Sequence, residues 1–225
     1  MFENANILTT LEEQIDQRHS ALIIVDVQND FVHPDGHIAK SSIKHWDDMT
    51  LIPAMLENTG RFLEVARRFD VLTVFVQMIG DQKYQSPPWI ARQRRTGSKG
   101  GSCLEGTWGA DFYGDIRPNG RDREIVVPKH RYSAFWGTRL EQILHSHNIK
   151  TLLMAGDATN GCVESTTRDA FCADFYVVTL ADCCGDFDQT RHEMSLRKMD
   201  QAYGFVTDST KVEGLWKHSI LVTGR

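Results

Sequence analysis

The chain has 225 residues, 41% of them hydrophobic, enough for one sizeable core and short for two. A formal net charge of −5 and a pI near 6.0 argue against a nucleic-acid surface or a polybasic membrane patch. No run approaches the roughly 20 apolar residues of a membrane span, and the first residues, with Glu3, Glu12 and Glu13, lack the basic-then-apolar order of a signal peptide. A cytoplasmic protein with its five cysteines reduced is expected.

Residues 1–19 are polar and weakly periodic and read as an N-terminal arm with room for a short helix. ALIIV (Ala21 to Val25) is a continuous apolar run, the pattern of a strand buried on both faces, and it ends at a carboxylate, Asp26. A polar loop with His33, Pro34, Gly36 and His37 follows. Leu51 to Arg68 has helical spacing (Leu51, Met55, Phe62, Val65, Ala66), with Gly60 as its weak point. Val71 to Val76 is the next β-branched run. Residues 77–124 are rich in Gly, Pro, Arg and Trp and too long for a plain connection, which predicts a lid, a binding loop or an assembly surface. There Arg92, Arg94, Arg95 and Lys99 read as a solvated loop cluster, and Trp108, Phe112 and Tyr113 as packing for an interface or lid.

Ile125 to Val127 predicts a short strand with Pro128 and Lys129 at its exit. Thr138 and Glu141 are spaced as a capping box for a helix through His147. Thr151 to Ala155 is another buried strand. Gly156 and Gly161 then bracket a tight turn, Asn160 is an N-cap candidate, and Cys162 falls in the first turn of a helix. Tyr176 to Leu180 is a strand ending at Asp182, Asp188 opens a helix to Ala202, and Phe205 to Thr207 is a last short strand. Strands alternating with helices predict an α/β fold whose parallel sheet is covered on both faces. There is no internal repeat and no low-complexity segment.

In such sheets ligands bind beyond the carboxyl ends of the strands. Asp26, Lys129 and Cys162 each lie at or just past a predicted strand end, so one rim gathers a carboxylate, an ammonium and a thiol. A cysteine among the free N–H groups of a helix start gains thiolate character, and a nearby lysine favours the same form. The carboxylate can take the thiol proton and return it to a leaving amine, while N–H groups of the turn hold an oxyanion. Singly, each residue has a plain structural explanation: a strand-end cap, a solvent-facing lysine, a small core cysteine. Jointly they point to nucleophilic catalysis. Two readings of other classes are a non-catalytic metabolite-binding α/β module with an unreactive Cys162, and a thiol redox protein, which lacks its C-x-x-C pair here. Cys103 has neither a strand end nor a helix start beside it, and Cys172 reads as core. Cys183 and Cys184 are adjacent, and a reducing cytosol disfavours a disulfide between them. The nine histidines form no recognisable ligand set.

ALIIVDVQNDF, VVPKHRYSAFWGT and GDATNGCVESTTRDAF resemble the three signature stretches of the isochorismatase-like cysteine hydrolases, and the likeness runs from about Ser20 to Asp208. The resemblance implies a six-stranded parallel sheet in a three-layer, Rossmann-like αβα fold, one domain over residues 1–225, assembled as a homodimer or homotetramer. By motif position it implies Asp26 as acid/base, Lys129 as the family's lysine and Cys162 as nucleophile. The backbone amides of Ala158 and Cys162 correspond to the oxyanion hole, helped by a cis Asp157–Ala158 peptide. Relatives that cleave a vinyl ether lack the cysteine, so Cys162 speaks against that activity. Nicotinamidases carry an Asp-His-His metal cluster where this chain reads VFVQMIGDQKYQ, so no metal or other cofactor is expected, nor nicotinamide as substrate.

The C-terminal half most resembles ureide hydrolases, which act on ureidoacrylate, biuret or triuret. PKHRYSAF and ATNGCVESTTRDAF are similar to the ureidoacrylate branch, while Phe31 and Gln201 match positions that face substrate in biuret hydrolases. A glutamine offers donor and acceptor together, which suits a neutral ureide. The expectation is therefore a cysteine-dependent amidohydrolase of biuret or triuret that releases ammonia through an acyl-thioester. The alternative is ureidoacrylate or another N-carbamoyl compound. Tyr132, Gln77, Trp89 and Arg92 complete the expected pocket with Phe31 and Gln201.

Overall fold

Six strands form one parallel sheet in the computed structural model, which describes residues 7–41, 48–98 and 100–223, with side chains as far as Ser219. Glu3 and Lys99, two of the charges noted in the sequence, lie outside the described residues. A short helix, α1 (Leu11–Gln14), precedes β1 (Ser20–Val25); α2 (Asn29–Val32) and the long α3 (Ile52–Arg68) lead to β2 (Leu72–Met78). Then come α4 (Pro87–Thr96), β3 (Glu124–Lys129), α5 (Leu140–Ser146) and β4 (Thr151–Gly156). The chain finishes with α6 (Glu164–Cys172), β5 (Tyr176–Cys184), α7 (Gln189–Ala202), β6 (Gly204–Thr207) and α8 (Ser209–Thr223).

The strand order is β3-β2-β1-β4-β5-β6, with every neighbouring pair parallel. The winding reverses between β1 and β4, where an open α/β sheet leaves a crevice at its carboxyl edge. β1 is buried at every position. Alternation sends Leu22 and Ile24 into one core layer and Ala21, Ile23 and Val25 into the other. The first layer is closed by α3 and α8, where Phe62 stacks on Trp216 at 5.5 Å. The second is closed by α5 and α6 through Leu140, Leu144 and Ala170. This is the three-layer α/β fold the sequence predicts. α3 docks because Ile52, Met55, Thr59, Phe62, Leu63 and Ala66 fall on one buried stripe. Truncating Phe62 or Trp216 to alanine is expected to cost about 3–5 kcal/mol.

Several local expectations are corrected. The segment 77–124 contains α4, opened by Pro87 and closed by Gly97 at φ +76. No residue of α4 is buried, so it carries no apolar stripe, and Arg94 and Arg95 are exposed on a helix rather than in a loop. Thr138 makes no capping box: Arg139 is the N-cap of α5, and Thr138 Oγ1 accepts from Leu140 N at 3.1 Å. A Thr–Glu box forms instead at Thr10 and Glu13 on α1. Cys172 ends α6 and is exposed, not core. β5 runs on to Cys184, so Asp182 is within the strand, where its Oδ1 accepts Ser209 N at 2.7 Å and anchors the start of α8. α8 has no counterpart in the sequence reading; Trp216 Nε1 ties it to Ile15 O at 2.6 Å. Phe112 packs on Phe75, and Tyr113 N donates to Val27 O at 3.0 Å, so both serve this chain's own packing while Trp108 is exposed. Among the described residues no helix is long and apolar enough to cross a membrane.

Candidate active site

The chain turns as soon as β1 ends. Asp26 adopts φ +55, a left-handed conformation uncommon for non-glycine residues that aspartate enters more readily than most. Its N–H donates to Val76 O at 3.1 Å, and its carboxylate is 1% exposed. Lys129 closes the edge strand β3, opposite Met78 in the register, and is fully buried. Its Nζ reaches across β2 to lie 2.7 Å from Asp26 Oδ2, 3.0 Å from Arg131 O and 3.2 Å from Cys162 Sγ. The ends of β1 and β3 and the turn after β4 thus bring carboxylate, ammonium and thiol together.

The turn after β4 delivers the thiol. Gly156 takes φ +112, and a Cβ there would lie 2.1 Å from Val25 O, so glycine is what lets β4 close on β1. The Asp157–Ala158 peptide is cis, as the resemblance implies. Thr159–Val163 forms a π-type turn in which Ala158 O accepts Gly161 N at 2.8 Å and Val163 N at 3.2 Å. This turn runs straight into α6, so Asn160 is not the expected N-cap. Asn160 instead donates from its side chain to Ser195 Oγ at 2.9 Å and from its backbone to Asp186 Oδ2 at 2.7 Å. Thr159 N donates to Gly185 O at 2.8 Å, and Glu164 pairs with Arg168 and Ser195, which braces both ends of the turn.

Burial raises the Asp26 carboxyl above the usual carboxylate range, with Lys129 and the Cys162 thiol opposing. Desolvation works against the Lys129 ammonium, but Asp26 and then Cys162 outweigh it and hold Lys129 above its ordinary value. The Cys162 thiol is pushed well up, first by burial and then by Asp26, against the pull of Lys129. Burial and Asp26 thus favour the neutral Cys162 thiol, while Lys129 at 3.2 Å favours the thiolate expected from the helix start. Moving the thiol proton to Asp26 leaves the net charge of the trio unchanged.

Asp26 and Cys162 line a cavity of about 520 Å³, with Lys129 buried behind them, and Trp89, Arg92, Gln93 and Thr96, one face of α4, line it too. A family model described as the isochorismatase domain matches residues 20–211. The chain belongs to the isochorismatase family. Its relatives include the ureidoacrylate amidohydrolase RutB of Serratia proteamaculans (strain 568), 30% identical over 204 residues, covering 85% of this chain and 80% of that protein. A protein of the same name from Variovorax paradoxus (strain S110) is 31% identical over 201 residues, covering 84% and 77%. An isochorismatase family protein from Desulfovibrio vulgaris subsp. vulgaris str. Hildenborough matches with TM-score 0.72 at 27% identity, over 89% of this chain and 99% of that one. A cysteine hydrolase from Pseudomonas syringae pv. phaseolicola 1448A shares the fold, with TM-score 0.74 at 20% identity over 92% and 96%.

In this isochorismatase-family chain the predicted pocket residues divide. Phe31, Tyr132, Trp89 and Arg92 line the cavity; the Trp89 and Tyr132 rings lie 5.1 Å apart, and the Arg92 guanidinium sits 5.7 Å from the Tyr132 ring. Gln77 does not line it. Strand alternation gives Met78 the side facing Lys129, and Gln77 Nε2 donates to Ala110 O at 2.8 Å. Gln201 does not line it either. α7 buries His192, Ser195 and Met199 and runs back to the amino edge of the sheet, where β6 begins beside Val177. Gln201 is exposed there, bordering a separate depression with Phe171 and Tyr203.

Met78, Asp157 and Asp186 line the cavity without having been predicted. Asp186 obeys the rule that finds Asp26, a carboxylate just past a strand, once β5 is ended at Cys184. His37 also lines the cavity, while His33 packs edge-on against Trp108 at 5.0 Å. Among the described residues no group of three or more His, Cys, Asp or Glu is placed to hold a metal ion. Cys103 is fully buried, its N–H donating to Asp30 Oδ2 at 2.6 Å, and Cys183 and Cys184 are buried free thiols.

Proposed function

We propose that this chain is a cysteine-dependent amidohydrolase cleaving a C–N bond of a small linear ureide that carries a carboxylate, of the ureidoacrylate type. The observation that carries the reading is the contact set at the cavity wall: Cys162 Sγ 3.2 Å from the buried Lys129 Nζ, and Nζ 2.7 Å from Asp26. Relatives named as ureidoacrylate amidohydrolases support the substrate class. So does Arg92 on the cavity face of α4, since a guanidinium suits a carboxylate. The biuret and triuret expectation leans on Gln201, which lies outside the cavity, and keeps only Phe31 in its favour.

In the proposed cycle Asp26 takes the Cys162 proton as Sγ bonds to the ureido carbonyl carbon. The N–H groups of Ala158 and Cys162 hold the oxyanion. Collapse breaks one C–N bond, and Asp26 passes its proton to the departing nitrogen, leaving an S-carbamoyl thioester on Cys162. A water then attacks the same carbon as Asp26 takes one of its protons. The C–S bond breaks, and Sγ recovers that proton from Asp26. Lys129 stays positive throughout, beside whichever neighbour carries the negative charge.

The test is ammonia release from ureidoacrylate, biuret and triuret, with and without prior alkylation by iodoacetamide. The expected result is fastest release from ureidoacrylate, lost in step with alkylation of Cys162 and protected by substrate. Preference for biuret or triuret would remove the carboxylate from the reading. Release unaffected by alkylated Cys162 would remove the cysteine.

A further inference from the structure

The proposed cycle uses neither of two further buried carboxyls that line the cavity, Asp157 and Asp186. Asp157 follows Gly156 at the end of β4, is 1% exposed and lines the cavity. β4 lies between β1 and β5, so Asp26, Asp157 and Asp186 come together past three adjacent strand ends. Their partners differ. Asp26 has Lys129 at 2.7 Å, and Asp186 accepts Asn160 N at 2.7 Å and Phe187 N at 2.8 Å. Asp157 donates its own N–H to Val25 O at 3.0 Å, yet its side-chain Oδ1 makes no hydrogen bond within the protein. A buried polar atom in that position is costly and calls for a partner from outside the chain.

The charge pattern says which form Asp157 takes. The charged groups facing it are Asp26, Asp186 and Lys129, with the Cys184 thiol beside it on β5. Lys129 is already engaged by Asp26. Burial, then the charges of Asp26 and Asp186, raise the Asp157 carboxyl far above the usual range, with Lys129 only partly opposing. An ionised Asp157 would also repel the thiolate and the oxyanion, since the next residue is Ala158 of the proposed oxyanion hole. We propose that Asp157 keeps its proton and donates a hydrogen bond to a carbonyl or carboxylate oxygen of the substrate, held against the turn that carries Cys162. The proposal deepens the ureide reading and rests on it. It makes Asp157 a substrate-contacting residue that selects for an acceptor oxygen close to the scissile carbonyl.

Infrared difference spectra of wild type against Asp157→Asn at neutral pH read the carboxyl directly. The expected result is the carbonyl stretch of a protonated acid in ligand-free wild type, missing in the variant. In a Cys162→Ala background the same band should shift when ureidoacrylate binds. Kinetics supply the second readout. Asp157→Asn keeps an uncharged donor and should raise KM far less than a variant without one. Asp157→Val has no donor and should raise KM about 10- to 100-fold with a smaller effect on kcat, at an unchanged or higher melting temperature. A missing ligand-free band, or a wild-type KM in Asp157→Val, overturns the proposal. Equal losses in both variants with a lower melting temperature would assign Asp157 to structure and overturn it as well. Failure of wild type to hydrolyse any of the three ureides defeats the function reading, whereas a missing band defeats this proposal with that reading intact.

Discussion

Gly156 holds the two halves of the site together, and Gly156→Ala should break both the fold's stability and its chemistry. The register pairs Val25 of β1 with Gly156 of β4. An added Cβ would lie 2.1, 2.7 and 2.8 Å from Val25 O, N and C, all backbone atoms that no rotamer change can move. The φ of +112 adds a conformation that side-chain-bearing residues avoid. Backbone strain of about 1–3 kcal/mol and overpacking of about 1–3 kcal/mol give a loss of about 4 kcal/mol, or about 10 °C in melting temperature for a chain of this size. Relief requires the strand ends to part by about 1 Å, and these ends carry Asp26 and the Cys162 turn; misplacement of that size costs about 100-fold in rate. Gly204→Ala is the control: its Cβ would meet Val177 O at 2.0 Å, an equal clash at the opposite edge of the sheet. Urea unfolding should show both variants destabilised, while kcat measured where both are folded should collapse only in Gly156→Ala. A Gly156→Ala protein within about 1 kcal/mol of wild type, or one whose kcat matches that of Gly204→Ala, would refute the reasoning.

Two further expectations follow from the site's electrostatics. The proposed cycle needs Asp26 ionised, to accept the thiol proton, and Cys162 protonated, to supply it. Asp26 is raised, so activity should fall as pH drops through a limb above the ordinary carboxylate value; Cys162 is raised, so it should fall again only as pH climbs past the ordinary thiol value. A kcat/KM profile with its acid limb at or below a normal carboxylate pKa would contradict the charge assignment. Arg92→Gln should raise KM for ureidoacrylate about 10- to 100-fold while leaving KM for an uncharged ureide nearly unchanged; equal effects on both would remove Arg92 as a carboxylate contact.

The strands and the clustering of Asp26, Lys129 and Cys162 are legible in the sequence because burial on both faces leaves runs such as ALIIV and TLLMA free of polar residues. Asp26, Lys129 and Cys162 each sit at, or one short turn beyond, such a run. α4 is not legible, since its inward face of Trp89, Arg92, Gln93 and Thr96 turns to a cavity instead of a core and has helical spacing without apolar content. Gln201 misleads because motif position carries no information on helix direction, and α7 takes it to the far edge of the sheet. Asn160 misleads because the chain is already helical there: a π-type turn, fixed by the hydrogen bonds that Ala158 O accepts, runs straight into α6. Asp157 sits inside a recognisable motif, but its role depends on which neighbours have cations and which do not, and that is visible only in three dimensions.

The claim on which the rest depends is that Cys162 Sγ attacks the substrate carbonyl. The most direct measurement is kcat of Cys162→Ala on ureidoacrylate, with folding verified by an unchanged melting temperature. The predicted result is a fall of at least about 10⁴-fold, the scale on which removal of a nucleophile acts. Turnover by the alanine variant within tenfold of wild type would contradict the account.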